Sequence, residues 1–372
     1  ATRRILKVKY ELGLFDDPYK YCDLEREKKI TGSEEINNAA LDIAKKSIVL
    51  LKNKNNLLPL KKEGQKIALI GALANDKTSP LGSWRIAADD HTAISVLEGM
   101  NQYPGNTVIY SKGADLTYGK TEFVTELKIN TTDKSEFDKA KEVAKIADVV
   151  VMVLGEHGFQ SGEGRSRASL DLPGVQQELL EEIFSVNSNI VLVLNNGRPL
   201  TINWADENIP AILEAWQLGT QSGHAIAQVL YGDYNPSGKL PMTFPRNVGQ
   251  VPLYYNYKNT GRPNLPGPGS VFWSHYNDEK NTPLYPFGYG LSYSTFKYSN
   301  LKLINNFDKN SKIEITIDVK NTGNIEGKEV VQLYIRDKYA SITRPVKELK
   351  GFKLLNLKVG ETKVAKFQLT EK

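Results

Sequence analysis

A single cysteine, Cys22, stands in a chain of 372 residues, so no internal disulfide can form and no cysteine-based metal cage is available. The four histidines, His91, His157, His224 and His275, are scattered and show no His-Glu-x-x-His spacing, which reads them as structural rather than ligating. Phosphate-binding loops are missing too. Ile70-Gly71-Ala72-Leu73-Ala74 lacks the later glycines of a dinucleotide fingerprint, and no Gly-x-x-x-x-Gly-Lys-Ser/Thr run occurs. Neither Gly162 nor Ser292 belongs to a Gly-x-Ser-x-Gly elbow. No cofactor and no metal is therefore expected. Apolar runs such as Val149–Leu154 fall far short of the ~18–20 residues of a membrane span. Lys and Arg (48) barely exceed Asp and Glu (43), and no block of like charge marks a nucleic-acid surface. The absence of disulfides leaves the compartment open, because cytosolic and periplasmic proteins both share it.

What is present divides the chain into unlike parts, as its length predicts for two or three domains. Residues 1–12 place Ile5, Val8 and Leu12 on one helical face, and Gly13 suits the left-handed residue that ends a helix. Nothing local covers that face, so residues 1–36 read as the last helix of a preceding domain and a linker. From 37 to 245 helical and strand patterns alternate. A helix is expected over Asn37–Lys52, and further helices over about 92–102, 136–147, 174–186 and 222–231. Between them lie apolar strand candidates at Ile67–Ile70, Thr107–Tyr110, Val149–Leu154, Ile190–Leu194 and Ala211–Glu214. Near-continuous Val/Ile/Leu strands separated by helices define an α/β fold with a parallel sheet covered on both faces. Leu240–Phe244, carrying Pro241, is expected at a sheet edge. Residues 246–296, rich in Pro, Gly, Tyr and Asn, form an irregular connection. From 297 to 372 the period becomes 2, with Ile313, Ile315, Ile317 and Val319 on one side of a strand. This is an antiparallel β-sandwich, expected to be one or two strands short because such a fold takes roughly 100 residues.

One loop carries candidate chemistry. The strand at 149–154 is followed by Gly155-Glu-His-Gly-Phe-Gln-Ser-Gly-Glu163-Gly-Arg165-Ser-Arg167. Open α/β sheets place ligands at the carboxyl ends of their strands. Gly162 and Gly164 free Glu163 to project, and Arg165 and Arg167 are placed to orient it or to touch a sugar hydroxyl. The plainer alternative is a solvated loop with a surface ion pair. Leu81-Gly-Ser-Trp84-Arg85, after the first strand, belongs to the same sheet end. Trp84 beside Arg85 suits a sugar platform, or equally a plug between domains. Asn130-Thr-Thr has the spacing of a glycosylation site.

Arg4–Tyr19, Ala44–Asn53 with Leu58-Pro-Leu, Tyr231–Pro245, Leu284–Tyr293 and Arg344–Phe352 together resemble segments of glycoside hydrolase family three. Arg4–Tyr19 is similar to the helix that closes that family's catalytic barrel, and Ala44–Asn53 with Leu58-Pro-Leu to its interdomain helix. Tyr231–Pro245 and Leu284–Tyr293 resemble its signature segments, and Arg344–Phe352 its fibronectin type III-like appendage. The resemblance spans nearly the whole chain. It implies a flavodoxin-like six-stranded α/β sandwich followed by a fibronectin type III-like sandwich, preceded in the intact protein by a (β/α)₈ barrel. It implies retaining hydrolysis of terminal β-D-glucosyl residues, with an Asp nucleophile from the barrel and Glu163 as acid/base. Trp84, Arg85, Arg165 and Arg167 would then line the sugar site. Some relatives carry a second tryptophan four residues after the first, where this chain has Ala88. The partners implied are a β-linked oligosaccharide and the barrel, without nucleic acid or membrane span, and a homodimer stays open. A periplasmic or secreted location follows from the same likeness. The chain alone is then a half-site, expected to be inactive. β-Xyloside hydrolysis and a non-catalytic carbohydrate-binding or interaction module are the alternatives.

Overall fold

A computed structural model describes residues 1–85, 89–263, 270–305 and 313–370. Six strands form the central sheet: β1 (Val49–Asn53), β2 (Glu63–Ile70), β3 (Gly105–Ser111), β4 (Val149–Gly155), β5 (Ile190–Asn195) and β6 (Ala211–Glu214). Their order across the sheet is β1-β6-β5-β4-β2-β3, with β1 antiparallel to β6 and all other pairs parallel. Successive side chains in these strands enter opposite layers. Val150, Met152, Leu154, Leu192 and Leu194 join one core with the helices Phe137–Lys145 and Gln176–Val186. Val149, Val151, Val153, Val191 and Val193 join the other, with Glu34–Ser47, Val96–Met100 and Ser222–Leu230. Every residue of β4 and β5 is buried, at roughly 1.5–3 kcal/mol for each large apolar side chain. The apolar runs are continuous because both faces of the sheet are covered.

Two sequence expectations are corrected. The helix expected over Asn37–Lys52 stops at Ser47, and Val49–Asn53 is strand β1. Ser33 starts this helix by accepting from the Ile36 N–H at 3.4 Å, and Ser47 ends it by bonding back to the Ile43 carbonyl at 2.9 Å. Ile48 to Leu51 are all buried on alternating sides, which a helix cannot achieve. Leu240–Phe244 is not an edge strand. Within it Phe244 makes one isolated antiparallel bridge, to Tyr285, and Leu240, Phe244, Leu284 and Tyr285 pack into the first core.

The C-terminal sandwich pairs a three-stranded sheet with a two-stranded one. Strands β7 (Phe296–Asn305), β8 (Ile313–Asn321) and β11 (Thr362–Leu369) form the first, with β8 central. Strands β9 (Gly327–Ile335) and β10 (Glu348–Leu357) form the second. Ile315, Val319, Val331, Leu357, Ala365 and Phe367 fill the space between them. The sandwich is tied to the α/β unit by Lys239, which sits 3.3 Å from Glu329 and bonds the Gly290 carbonyl, and by Asn235, which bonds the Glu326 carbonyl. At the other end, helix Thr2–Glu11 buries none of its residues, and Gly13 has the left-handed φ of 73°.

Candidate active site

The loops after β2, β4, β5 and β6 leave from the same edge of the sheet, because these four strands run parallel. They meet through glycines. A Cβ on Gly158 would lie 2.9 Å from the Ser79 backbone, one on Gly162 2.2 Å from Ser83 Oγ, and one on Gly197 1.9 Å from Ser161 Oγ. The loop after β4 is thereby wedged between the β2 loop and the β5 loop. Gly155 (φ 141°) would strike the Asn195 carbonyl at 2.1 Å if it had a side chain, so the chain can leave β4 only through a glycine.

Glu163 sits at the tip. Gly162 (φ 134°) and Gly164 (φ 70°) flank it in conformations that L side chains rarely adopt, and Gly164 has open space around it. The Glu163 side chain is exposed and has no hydrogen-bond or ion-pair partner among the described residues. Gly162 and Ser83, the residues that precede Glu163 and Trp84, are in close contact. Trp84 is 67 % exposed.

The three arginines are engaged with the protein. The Arg85 side chain is 8 % exposed, pairs with Asp90, and lies 4.8 Å above the Phe159 ring. Phe159 meets Phe123 edge-on at 5.8 Å, and Arg165 covers Phe123 at 5.8 Å while donating to its carbonyl. Arg167 bonds Glu156 at 2.9 Å and the Asp171 carbonyl at 2.8 Å. These contacts brace the loop, whereas the Trp84 side chain is largely exposed. Ala88 lies outside the described residues.

Below the tip is a buried polar cluster. Glu156, fully buried at the end of β4, is held by Arg167, by Arg198 Nε at 3.1 Å and by the Gly197 N–H at 3.3 Å. Arg198 Nη2 donates to the carbonyls of Arg165, at 2.7 Å, and of Gln160. Glu214 closes β6 and accepts from the Trp216 N–H at 2.8 Å and from Asn196 at 3.1 Å. Complete burial holds its carboxyl well above the usual carboxylate range; those two donors oppose the shift and the nearby Glu156 charge adds to it. Burial pushes the His157 imidazole below its ordinary value, so it is neutral at pH 7, and its Nδ1 accepts from the Phe159 N–H at 3.1 Å. Glu156 lies inside the loop that the sequence singles out, whereas Glu214, Asn196 and Arg198 were missed. Their signal is a polar residue ending an apolar strand, which alone does not separate a structural clamp from a site.

Asn130 is 1 % exposed and is bound by Tyr118 and by the carbonyls of Asp115 and Asp133. It pins a turn and cannot accept a glycan without unfolding it.

Residues 48–293 match the Glycosyl hydrolase family 3 C-terminal domain, and residues 329–372 a Fibronectin type III-like domain. The chain belongs to glycosyl hydrolase family 3. It is 43 % identical, over 99 % of its length, to a periplasmic beta-glucosidase of Salmonella typhimurium, covering 50 % of that protein. It is 44 % identical to a beta-xylosidase of Formosa agariphila over 99 % of its length, covering 49 % of that relative. A beta-glucosidase of Listeria innocua solved in complex with isofagomine superposes with a TM-score of 0.88 at 38 % identity, over 99 % of this chain and 49 % of that one. The chain thus spans about half the length of these relatives.

Proposed function

We propose that this chain is the part of a retaining β-glucosidase that supplies the general acid/base, Glu163, to a site completed by an N-terminal barrel. The observation that carries the reading is a carboxyl group with no partner among the described residues, on a loop hinged by two left-handed glycines at the carboxyl edge of a family 3 domain. The exposed apolar side chains of the N-terminal region, among them Ile5, Val8, Leu12 and Phe15, support a further domain packing there. The name of the Salmonella relative supports a periplasmic location, and no described helix is long and apolar enough to cross a membrane.

Glu163 protonates the glycosidic oxygen as the bond to the anomeric carbon breaks, while a barrel Asp takes the glycosyl group. The Glu163 carboxylate then removes a proton from the water that releases the sugar. Retention requires the two carboxyl groups to stand about 5–5.5 Å apart. Trp84 offers an aromatic face to the departing sugar.

In the full-length protein, Glu163→Gln should lower kcat/KM by about 10²–10⁴-fold for glucosides with poor leaving groups and far less for 2,4-dinitrophenyl β-D-glucoside, which leaves without a proton. Azide should restore turnover of the activated substrate by attacking the glycosyl-enzyme. Equal loss on both substrates, or none, overturns the role. The present chain alone should hydrolyse neither. The Formosa relative favours β-xylosides as a second reading, which parallel assays on aryl xylosides decide.

A further inference from the structure

We infer that Glu156 is a positioning residue for the acid/base loop, acting through Arg198 and Arg167, whose guanidinium groups grip that loop on both sides of Glu163. The inference rests on the assignment of Glu163 as acid/base.

The argument begins with what freedom the loop needs and what limits it. Gly162 and Gly164 let the tip swivel, and Glu163 has no side-chain partner among the described residues to fix it. A proton can be delivered only if the carboxyl lies within hydrogen-bond reach of the leaving oxygen. Rigidity must therefore come from the stem. Arg198 Nη2 bridges the carbonyls of Gln160 and Arg165, three residues before Glu163 and two after it, closing the stem with a single guanidinium. Arg167 holds the outgoing segment of the loop at the Asp171 carbonyl.

Neither guanidinium would stay there unaided. Both converge on one carboxylate, Glu156, whose side chain is entirely buried, while theirs are 17 % and 20 % exposed. The Gly197 N–H adds a further donor to Glu156, and the Asn196 side-chain amide donates to the Arg198 backbone carbonyl at 2.7 Å. Each arginine thus pairs with the shared carboxylate on one side and is hydrogen-bonded to loop carbonyls on the other, an arrangement suited to the planar fork of arginine and not to lysine. Glu156 is itself rigid because it directly follows β4 and its N–H bonds the Asn195 carbonyl at 2.8 Å.

The test uses the full-length enzyme and two substrates, cellobiose and 2,4-dinitrophenyl β-D-glucoside. Glu156→Gln removes the shared charge. Arg198→Lys keeps a charge and loses the fork, and serves if the first variant does not fold. Either should lower kcat/KM for cellobiose by about 10–100-fold, the usual scale for a misplaced catalytic group, and leave the activated glucoside near the parent value. Combined with Glu163→Gln, Arg198→Lys should cost nothing further on cellobiose, because it acts through Glu163. Equal losses on both substrates, full additivity in the double variant, or no loss at all overturns the positioning role. If Glu163→Gln alone shows no leaving-group dependence, the acid/base assignment fails and the inference fails with it. If that variant behaves as expected and the other two do not, the inference alone fails.

Discussion

Gly197 and Ser161 are in such close contact that a Cβ on the glycine would lie 1.9 Å from the serine Oγ and 2.5 Å from its Cβ. The β5 loop is thereby pressed against the stem of the loop that carries Glu163. Gly197→Ala must push Ser161 away, and Ser161 Oγ also accepts from Gln217 at 3.1 Å. The substitution should destabilise the protein by about 1–3 kcal/mol, the usual cost of overpacking. Removing the obstructing side chain should relieve it. Thermal unfolding is expected to rank Gly197→Ala below the Gly197→Ala/Ser161→Gly pair, and equal Tm values would refute the contact.

Trp84, one residue before the Arg85 that covers Phe159, and Phe159 itself are aromatic residues with opposite expectations. Trp84 is 67 % exposed, so Trp84→Ala should move the Tm little, within about 0.5 kcal/mol, while raising KM for oligosaccharides in the full-length enzyme. Phe159 is 5 % exposed, under Arg85 and against Phe123. Phe159→Ala should cost about 3–5 kcal/mol, as for other buried aromatic rings. A large Tm loss for Trp84→Ala would make it the domain plug instead.

The pattern that made the sheet legible also explains what was misread. Four strands, β2, β4, β5 and β6, bury their apolar runs on both faces, and the edge strand β3 is half-buried; all five are bounded by turn residues, so they stand out without any tertiary information. β1 did not stand out, because Ala44, Ile48 and Leu51 continue the helical spacing of the preceding segment. Only the packing of Ile48 to Leu51 into two layers distinguishes a strand there. At the candidate site, the glycines around Glu163 could be read from the chain because backbone freedom is a local property. The engagement of Arg85 and Arg167 could not. Asp90 lies near Arg85 in sequence and Glu156 near Arg167, but charged neighbours at such separations are common, and only burial shows which are locked. Arg198 comes from a different strand end, 33 residues from the carbonyl of Arg165 that it holds.

Glu214 gives a pH prediction. Burial raises its carboxyl above the ordinary value of 4.5, so the folded protein keeps a proton that the unfolded chain releases. Its contribution to stability is complete below pH 4.5 and declines as pH rises toward the folded value. Glu214→Gln carries no titrating group. It disturbs the bond from Asn196 at every pH, so the informative quantity is the change with pH. The Tm of the variant minus that of the parent should increase from acid pH to neutrality. A difference that is flat or falling over this range would show that Glu214 is ionised in the folded state.

Asn130 tests the difference between a motif and its setting. Its amide donates to the carbonyls of Asp115 and Asp133 at 2.8 and 2.9 Å, and its oxygen accepts from the N–H groups of Thr132 and Asp133 and from the Tyr118 hydroxyl. The side chain therefore organises the turn ahead of helix Phe137–Lys145 and has no face left for an attached sugar. When the folded chain is incubated with a glycosylating extract, intact-mass measurement should find Asn130 unmodified. Asn130→Ala should lower the stability by about 2–4 kcal/mol, since several buried polar groups lose a partner together. A glycan at this position on a protein of unchanged Tm would show that the turn does not depend on the side chain.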